Sequence, residues 1–106
     1  MRSAGTRCIG FIKVGYKKLF MRGRSGEMNE MKPLAVLDFF VDPSAQRGGH
    51  GRALFDVMLA YMSSKPALIA YDRPSDKLIS FLAKHFNLRN FVPQNNNYVV
   101  FDDYFN

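Results

Sequence analysis

The segment Val41-Asp42-Pro43-Ser44-Ala45-Gln46-Arg47-Gly48-Gly49-His50-Gly51-Arg52 gathers three glycines and two arginines between an apolar run and a stretch of helical periodicity. Glycine has no Cβ, so the backbone can turn sharply and come close to a ligand. The first amides of the following helix lack a carbonyl partner, and the helix dipole adds partial positive charge there. Such a junction suits a phosphate or pyrophosphate, with Arg47 and Arg52 adding full charges beside it. The run lacks the Gly-Lys-Ser/Thr that closes a Walker A loop, and it lacks the Gly-x-Gly-x-x-Gly spacing of a dinucleotide fold. The alternative is a plain glycine-rich turn opening a helix, with its arginines solvated.

Asp72 is the second candidate. It follows the apolar run Ala67–Tyr71 and precedes Arg73-Pro74-Ser75. As a turn residue it would be structural; at the open end of a strand it could accept a proton. Lys13, Lys17 and Lys18 form either a solvated strand face or a basic surface that steers an acidic partner. Asp38, inside an apolar run, reads as a hydrogen-bonded structural carboxylate. His50 would act through its backbone amide, and His85 reads as an ordinary helix residue. Cys8 is the only cysteine, and with two histidines it makes no zinc spacing, so neither a disulfide nor a metal site is expected.

The elements that must position these residues follow from periodicity. Cys8–Val14 reads as a strand and Lys17–Met21 as a second short one, while the polar, glycine-bearing stretch Arg22–Lys32 reads as a mobile loop. Leu34–Val41 is nearly continuous in apolar residues and predicts a central strand buried on both faces. Leu54, Phe55, Met58, Leu59 and Met62 recur at helical spacing over residues 52–62, and Met58 and Met62 are core positions. Ala67–Tyr71 predicts a short buried strand. Ser75 suits the cap of a helix over Asp76–Phe86, whose buried face would be Leu78, Ile79, Phe81, Leu82 and Phe86. Asn87–Asn97 reads as irregular and Tyr98–Phe101 as a final strand. Strands separated by single helices imply βαβ crossover and an α/β or α+β layered domain.

At 106 residues the chain has room for one domain, residues 1–106. Its 47% hydrophobic and 23% charged residues are those of an ordinary globular domain. No stretch approaches the ~20 apolar residues of a membrane span, and no apolar segment follows the basic N-terminus, so neither a span nor a secretory signal is expected. The net charge of +6 favours acidic partners. A small nucleic-acid-binding domain is one such reading, but the lysines and aromatics form no RNP-like or helix-turn-helix pattern, so no nucleic acid is expected.

The spacing Gln46-x-x-Gly49-x-Gly51 resembles the acetyl-CoA pyrophosphate loop of GNAT acetyltransferases. An ordered series of segments resembles the α-tubulin N-acetyltransferase family in particular. It includes Gly10-Phe11-Ile12-Lys13-Val14-Gly15-Tyr16-Lys17-Lys18-Leu19-Phe20, Val36-Leu37-Asp38-Phe39, Asp72-Arg73-Pro74-Ser75, Pro93-Gln94 and Val99-Val100-Phe101. The family domain begins before Gly10, so the resemblance covers its C-terminal part. It implies a GNAT-like mixed central sheet with flanking helices, N-terminally truncated. It implies acetyl-CoA as co-substrate, with Phe39, Phe40 and Val41 along the pantetheine and Gln46, Arg47, Gly48, Gly49, His50, Gly51 and Arg52 on the pyrophosphate. Ser75, Lys77, Leu78, Phe81 and Lys84 would form the other wall. Asp72 would be the active-site carboxylate, and Lys13, Lys17 and Arg73 would face the substrate. That substrate would be a lysine of α-tubulin in microtubules, reached in the cytoplasm by a monomer. The chain departs from the family at Ala35, where family members carry a cysteine. A catalytically inactive tubulin-binding fragment is the competing reading.

Overall fold

The computed structural model describes residues 10–43, 49–92, 94 and 96–105. Among the described residues, seven strands and two helices follow in the order β1 (Gly10–Tyr16), β2 (Leu19–Arg22), β3 (Met28–Met31), β4 (Leu34–Val41), α1 (His50–Met62), β5 (Ile69–Asp72), α2 (Asp76–Phe86), β6 (Phe91–Val92) and β7 (Tyr98–Phe101). Short 3-10 turns at Pro66–Leu68 and Asp102–Phe105 precede β5 and follow β7. The main sheet runs β1-β4-β5-β7-β6, and β2-β3 is a separate hairpin. β4 and β5 pair in parallel through α1, whereas β1 with β4, β5 with β7 and β6 with β7 are antiparallel. This is the mixed α/β sheet that the periodicity and the resemblance led one to expect.

Two expectations are corrected. The stretch expected to be a loop holds β3, which pairs with β2 from Leu19↔Met31 to Arg22↔Met28. Gly26, at a φ of +86°, makes the turn that a side chain would strain. Met28-Asn29-Glu30-Met31 has no apolar alternation because three of its four residues face solvent, so the sequence hid it. Likewise β6 lies within the stretch expected to be irregular. It is only two residues long and exists through pairing with β7.

β4 is central, as expected, but buried on both faces only at its start. Leu34, Ala35 and Val36 are buried, whereas Asp38 and Phe40 are exposed. The register explains the change. Lys13 pairs with Asp38 and Val14 with Val36, so Leu37 is an extra residue, a bulge. Before it, Leu34 and Val36 face the helices; beyond it, Phe39 does, packed with Phe55 and Phe81. Strict alternation would have sent Asp38 there instead. Asp38 lies opposite Lys13 on the solvent side, so it is not the buried carboxylate the sequence suggested.

The helix-side core joins Leu34, Val36, Ile69 and Tyr71 of the sheet to Phe55 and Met58 of α1 and Leu78 and Leu82 of α2. A smaller cluster on the other face joins Met21 of the hairpin to Ala35, Ala70 and Val100. Tyr71 is fully buried and donates its hydroxyl to the Pro66 carbonyl at 2.7 Å, which holds the turn before β5. Each helix ends on a left-handed residue, Ser63 or Asn87, whose amide returns to the last turn.

Candidate functional site

A cleft of about 780 Å³ opens where β4 and the two helix starts diverge. The volume falls in the usual ligand-pocket range of roughly 300–1,000 Å³. Parallel pairing of β4 with β5 ends at Val36↔Tyr71, but β4 runs on to Val41. Beyond that point the side of β4 that faced β5 borders the cleft. Phe39, Phe40, Val41 and Pro43 line one wall; Gly49, Gly51 and Arg52 of α1 close the end. Ser75, Asp76, Lys77, Leu78, Ser80, Phe81 and His85 of the α2 segment form the other wall.

Gly51 shapes the floor. A Cβ there would lie 3.5 Å from Val41, 3.6 Å from Phe39 and 3.7 Å from Phe81, three cleft residues. These are ordinary contact distances, so a methyl would fit, but it would fill the cradle. Gly49 precedes the helix at a φ of +77°, the left-handed region that favours glycine. It offers no side-chain cap, and no acidic residue stands in the first turn of α1. Among the described residues, no side chain caps the leading amides of α1 and no first-turn carboxylate offsets its dipole, a setting for anionic oxygen. At α2 the opposite holds. Ser75 Oγ accepts from the Leu78 amide at 3.1 Å, and Asp76 adds a carboxylate, so Lys77 supplies the positive charge of that wall.

Arg52 lines the cleft, and its guanidinium is engaged by side chains of both helices. Its Nε sits 3.1 Å from both Asp56 carboxylate oxygens, and its guanidinium carbon lies 4.6 Å over the Phe86 ring. Its Nη1 approaches His85 Nδ1 at 3.4 Å. Arginine has no acceptor, so the imidazole must accept at Nδ1. Arg52 thus ties α1 to α2 at the cleft wall, with its charge partly neutralised by Asp56.

Of the residues expected on the cofactor, Phe39, Phe40, Val41, Gly49, Gly51, Arg52, Ser75, Lys77, Leu78 and Phe81 are brought together in this cleft. His50 turns to a separate apolar hollow with Gly10, Ala53 and Val57. Lys84 is exposed and outside the lining. Gln46, Arg47 and Gly48 lie outside the described residues. Pro43, Asp76 and Ser80 fall within the stretches expected to line the cofactor, 39–52 and 75–84, whereas sequence reasoning missed His85. His85 had a signal: Lys77, Phe81 and His85 are spaced by four, one face of a helix.

Asp72 stands apart from the lining, at the carboxyl end of β5 and three residues before Ser75. Its side chain is 30% exposed and pairs at 3.9 Å with Arg73 Nε. Arg73 itself adopts a φ of +43°, held by its amide bonding the Asn97 carbonyl at 3.0 Å. Across the strands Asp72 faces Tyr98. Burial, then the charge of Asp72, push the Tyr98 hydroxyl above its usual range, with Arg73 pulling the other way. By strand alternation Asp72 shares a face with Ala70, and hence with its partner Ala35, on the side of the hairpin. Lys13, Lys17 and Arg73 are all exposed and outside the cleft. Among the described residues, no three His, Cys, Asp or Glu side chains cluster as metal ligands, and no helix is long and apolar enough to cross a membrane.

Comparison with known proteins bears on this arrangement. The alpha-tubulin N-acetyltransferase of Tetrahymena thermophila is 54% identical over 101 residues, which is 95% of this chain and 25% of that protein. Alpha-tubulin N-acetyltransferase 1 of Danio rerio is 55% identical over 97 residues, 92% of this chain and 33% of that one. The alpha-tubulin N-acetyltransferase of Trichoplax adhaerens is 50% identical over 101 residues, 94% of this chain and 42% of that one. The chain therefore spans less than half the length of each of these relatives. Residues 2–106 match the family described as GNAT acetyltransferase, Mec-17, and on that match over nearly its whole length the chain belongs to this family.

Proposed function

We propose that the protein transfers an acetyl group from acetyl-CoA to a lysine of α-tubulin, and that residues 1–106 form part of one acetyltransferase domain. The observation that carries this reading is the cradle at Gly51, open between Val41, Phe39 and Phe81, beside the uncapped start of α1. An apolar floor next to unopposed amides fits a ligand that joins a pantetheine-like chain to a pyrophosphate. In this reading Phe39 and Val41 hold the chain. The amides after Gly49 and the ammonium of Lys77 hold the phosphates. Gln46, Arg47 and Gly48, adjoining in sequence, and Lys84, one turn beyond Phe81, complete the expected contact set.

Acetyl-CoA, when bound, supplies a thioester carbonyl as the acetyl donor. The protein's task is to present an uncharged amine, because lysine has a pKa of about 10.4 and is mostly protonated at neutral pH. Asp72 receives or orients that proton. It sits where β5 ends and β4 continues, partly buried, on the sheet face away from the helices. The amine would thus approach from the hairpin side and the cofactor from the helix side. Lys13, Lys17 and Arg73 give the approach a positive potential that suits an acidic protein.

The partner in this reading is α-tubulin in microtubules, met in the cytoplasm by a monomeric enzyme; the three relatives named above carry that substrate in their names. The deciding experiment incubates the full chain with polymerised tubulin and acetyl-CoA and detects acetyl-lysine by mass spectrometry. Acetylation dependent on acetyl-CoA is expected. Its absence, with the chain folded by circular dichroism, would reject the activity.

A further inference from the structure

Gln94 stands in the connection between β6 and β7, yet its side chain grips β2. Its Oε1 accepts from the Arg22 amide at 2.7 Å and its Nε2 donates to the Arg22 carbonyl at 2.8 Å, across 72 residues of sequence. One side-chain amide thus meets both backbone groups of Arg22, as a neighbouring strand would. The hairpin has need of such an anchor. A two-stranded hairpin is marginal on its own, and among the described residues β2-β3 shares no ladder with the main sheet. Met21 is its only fully buried side chain, while Phe20 and Met28 are 65% and 51% exposed. Arg24 adds a bond from Nη2 to the Asp102 carbonyl at 2.9 Å, and Asn96 reaches the Phe20 carbonyl at 3.5 Å.

The same connection also touches the end of β5. Asn97 accepts the amide of Arg73, and Tyr98 is the register partner of Asp72. Within five positions, then, Gln94 holds the hairpin and Asn97 and Tyr98 hold the strand end that carries the carboxylate. Lys17 enters the hairpin directly, its amide bonded to the Pro33 carbonyl at 3.1 Å.

We propose that Gln94 is a positioning residue that sets the β2-β3 hairpin against Asp72, so that an acidic protein docked on the hairpin presents its lysine to that carboxylate. This rests on the acetyltransferase reading above. Gln94 gives its side-chain amide to Arg22 and is not among the residues that line the cleft. Its loss should therefore act on the protein substrate alone.

The test is steady-state kinetics of Gln94→Ala in the full chain, with polymerised tubulin and acetyl-CoA varied in turn. KM for tubulin is expected to rise roughly tenfold, the order of one lost net hydrogen bond or more, with KM for acetyl-CoA unchanged. Exchange of the Arg22 amide with deuterium should quicken in step. Gln94→Glu keeps the acceptor for the Arg22 amide but sets oxygen against the Arg22 carbonyl, so it should not rescue. In a double variant with Lys17→Glu, the two effects on KM should fall short of additive, as expected for residues acting through one docking event. An unchanged KM for tubulin with an active wild type would overturn the proposal. So would an equal loss of acetyl-CoA affinity, which would mark Gln94 as plain scaffold. A wild-type chain that acetylates no tubulin refutes the underlying reading instead, and is told apart because no variant is then needed.

Discussion

Phe39 on β4 and Phe81 on α2 lie with ring centroids 5.6 Å apart and planes at 59°, and a Cβ on Gly51 would touch both. The helix side of the cleft is therefore closed by two aromatics with one missing methyl between them. Gly51→Ala should leave the fold intact, since alanine within a helix is favoured over glycine by about 0.5–1 kcal/mol. It should nonetheless weaken CoA binding in calorimetry, and Gly51→Val should do so further. Gly49→Val is a poorer probe. The space around Gly49 is open, but its φ of +77° would strain valine, costing about 1–3 kcal/mol and confusing binding with stability. Full CoA affinity in a folded Gly51→Val variant would remove Gly51 from the site.

Asp72→Asn preserves shape while removing the charge and the proton acceptor. CoA binding should be unchanged, because Asp72 does not line the cleft. Turnover should fall by roughly 10²–10⁴-fold, the usual worth of a positioned base. Wild-type turnover across the pH range would make Asp72 a turn residue and nothing more.

Ser75 has two roles that separate by substitution. Its Oγ caps α2 through the Leu78 amide, and the same residue lines the cleft. Ser75→Ala should lose about 1 kcal/mol of stability, lowering Tm by about 4 °C for a domain of this size. Ser75→Asp retains a capping acceptor and should recover most of that loss, yet it places a carboxylate in the cleft proposed to hold the CoA phosphates. Differential scanning calorimetry and CoA titration on both variants check the pair. Equal CoA affinity in Ser75→Asp and wild type would show that the phosphates lie elsewhere.

Tyr71 ties stability to alkaline pH. Burial raises its hydroxyl above the ordinary value of 10.0, so the folded state holds this proton more tightly than the unfolded chain does. The stabilisation is complete below the unfolded value and is lost as pH rises above about 10, at up to about 1.4 kcal/mol per pH unit. Denaturant midpoints followed from pH 8 to 11 should fall at the alkaline end. Tyr71→Phe should reduce that slope, while being less stable at neutral pH because the Pro66 carbonyl loses its donor. An alkaline limb of equal slope in Tyr71→Phe would assign it to other groups.

What the sequence by itself determined is what depends on neighbours along the chain. The apolar run Leu34–Val41, the helical spacing from Leu54 to Met62 and the cap at Ser75 were legible because strand burial, helix periodicity and capping act over a few residues. The junction from strand to helix ahead of α1 was legible for the same reason, and the ordered segments pointed to the family. What only the tertiary structure decided is register and reach. The bulge at Leu37 turns Phe39 to the helices and Asp38 to solvent, and it exists because β1 pairs across β4 with one residue fewer. β3 faces solvent along most of its length and shows no apolar alternation, β6 is two residues long, and both form through their partners. Arg52 meets Asp56, Phe86 and His85, side chains on two helices. Gln94 meets Arg22 across 72 residues. Such contacts depend on how distant elements pack, a relation that no local spacing encodes.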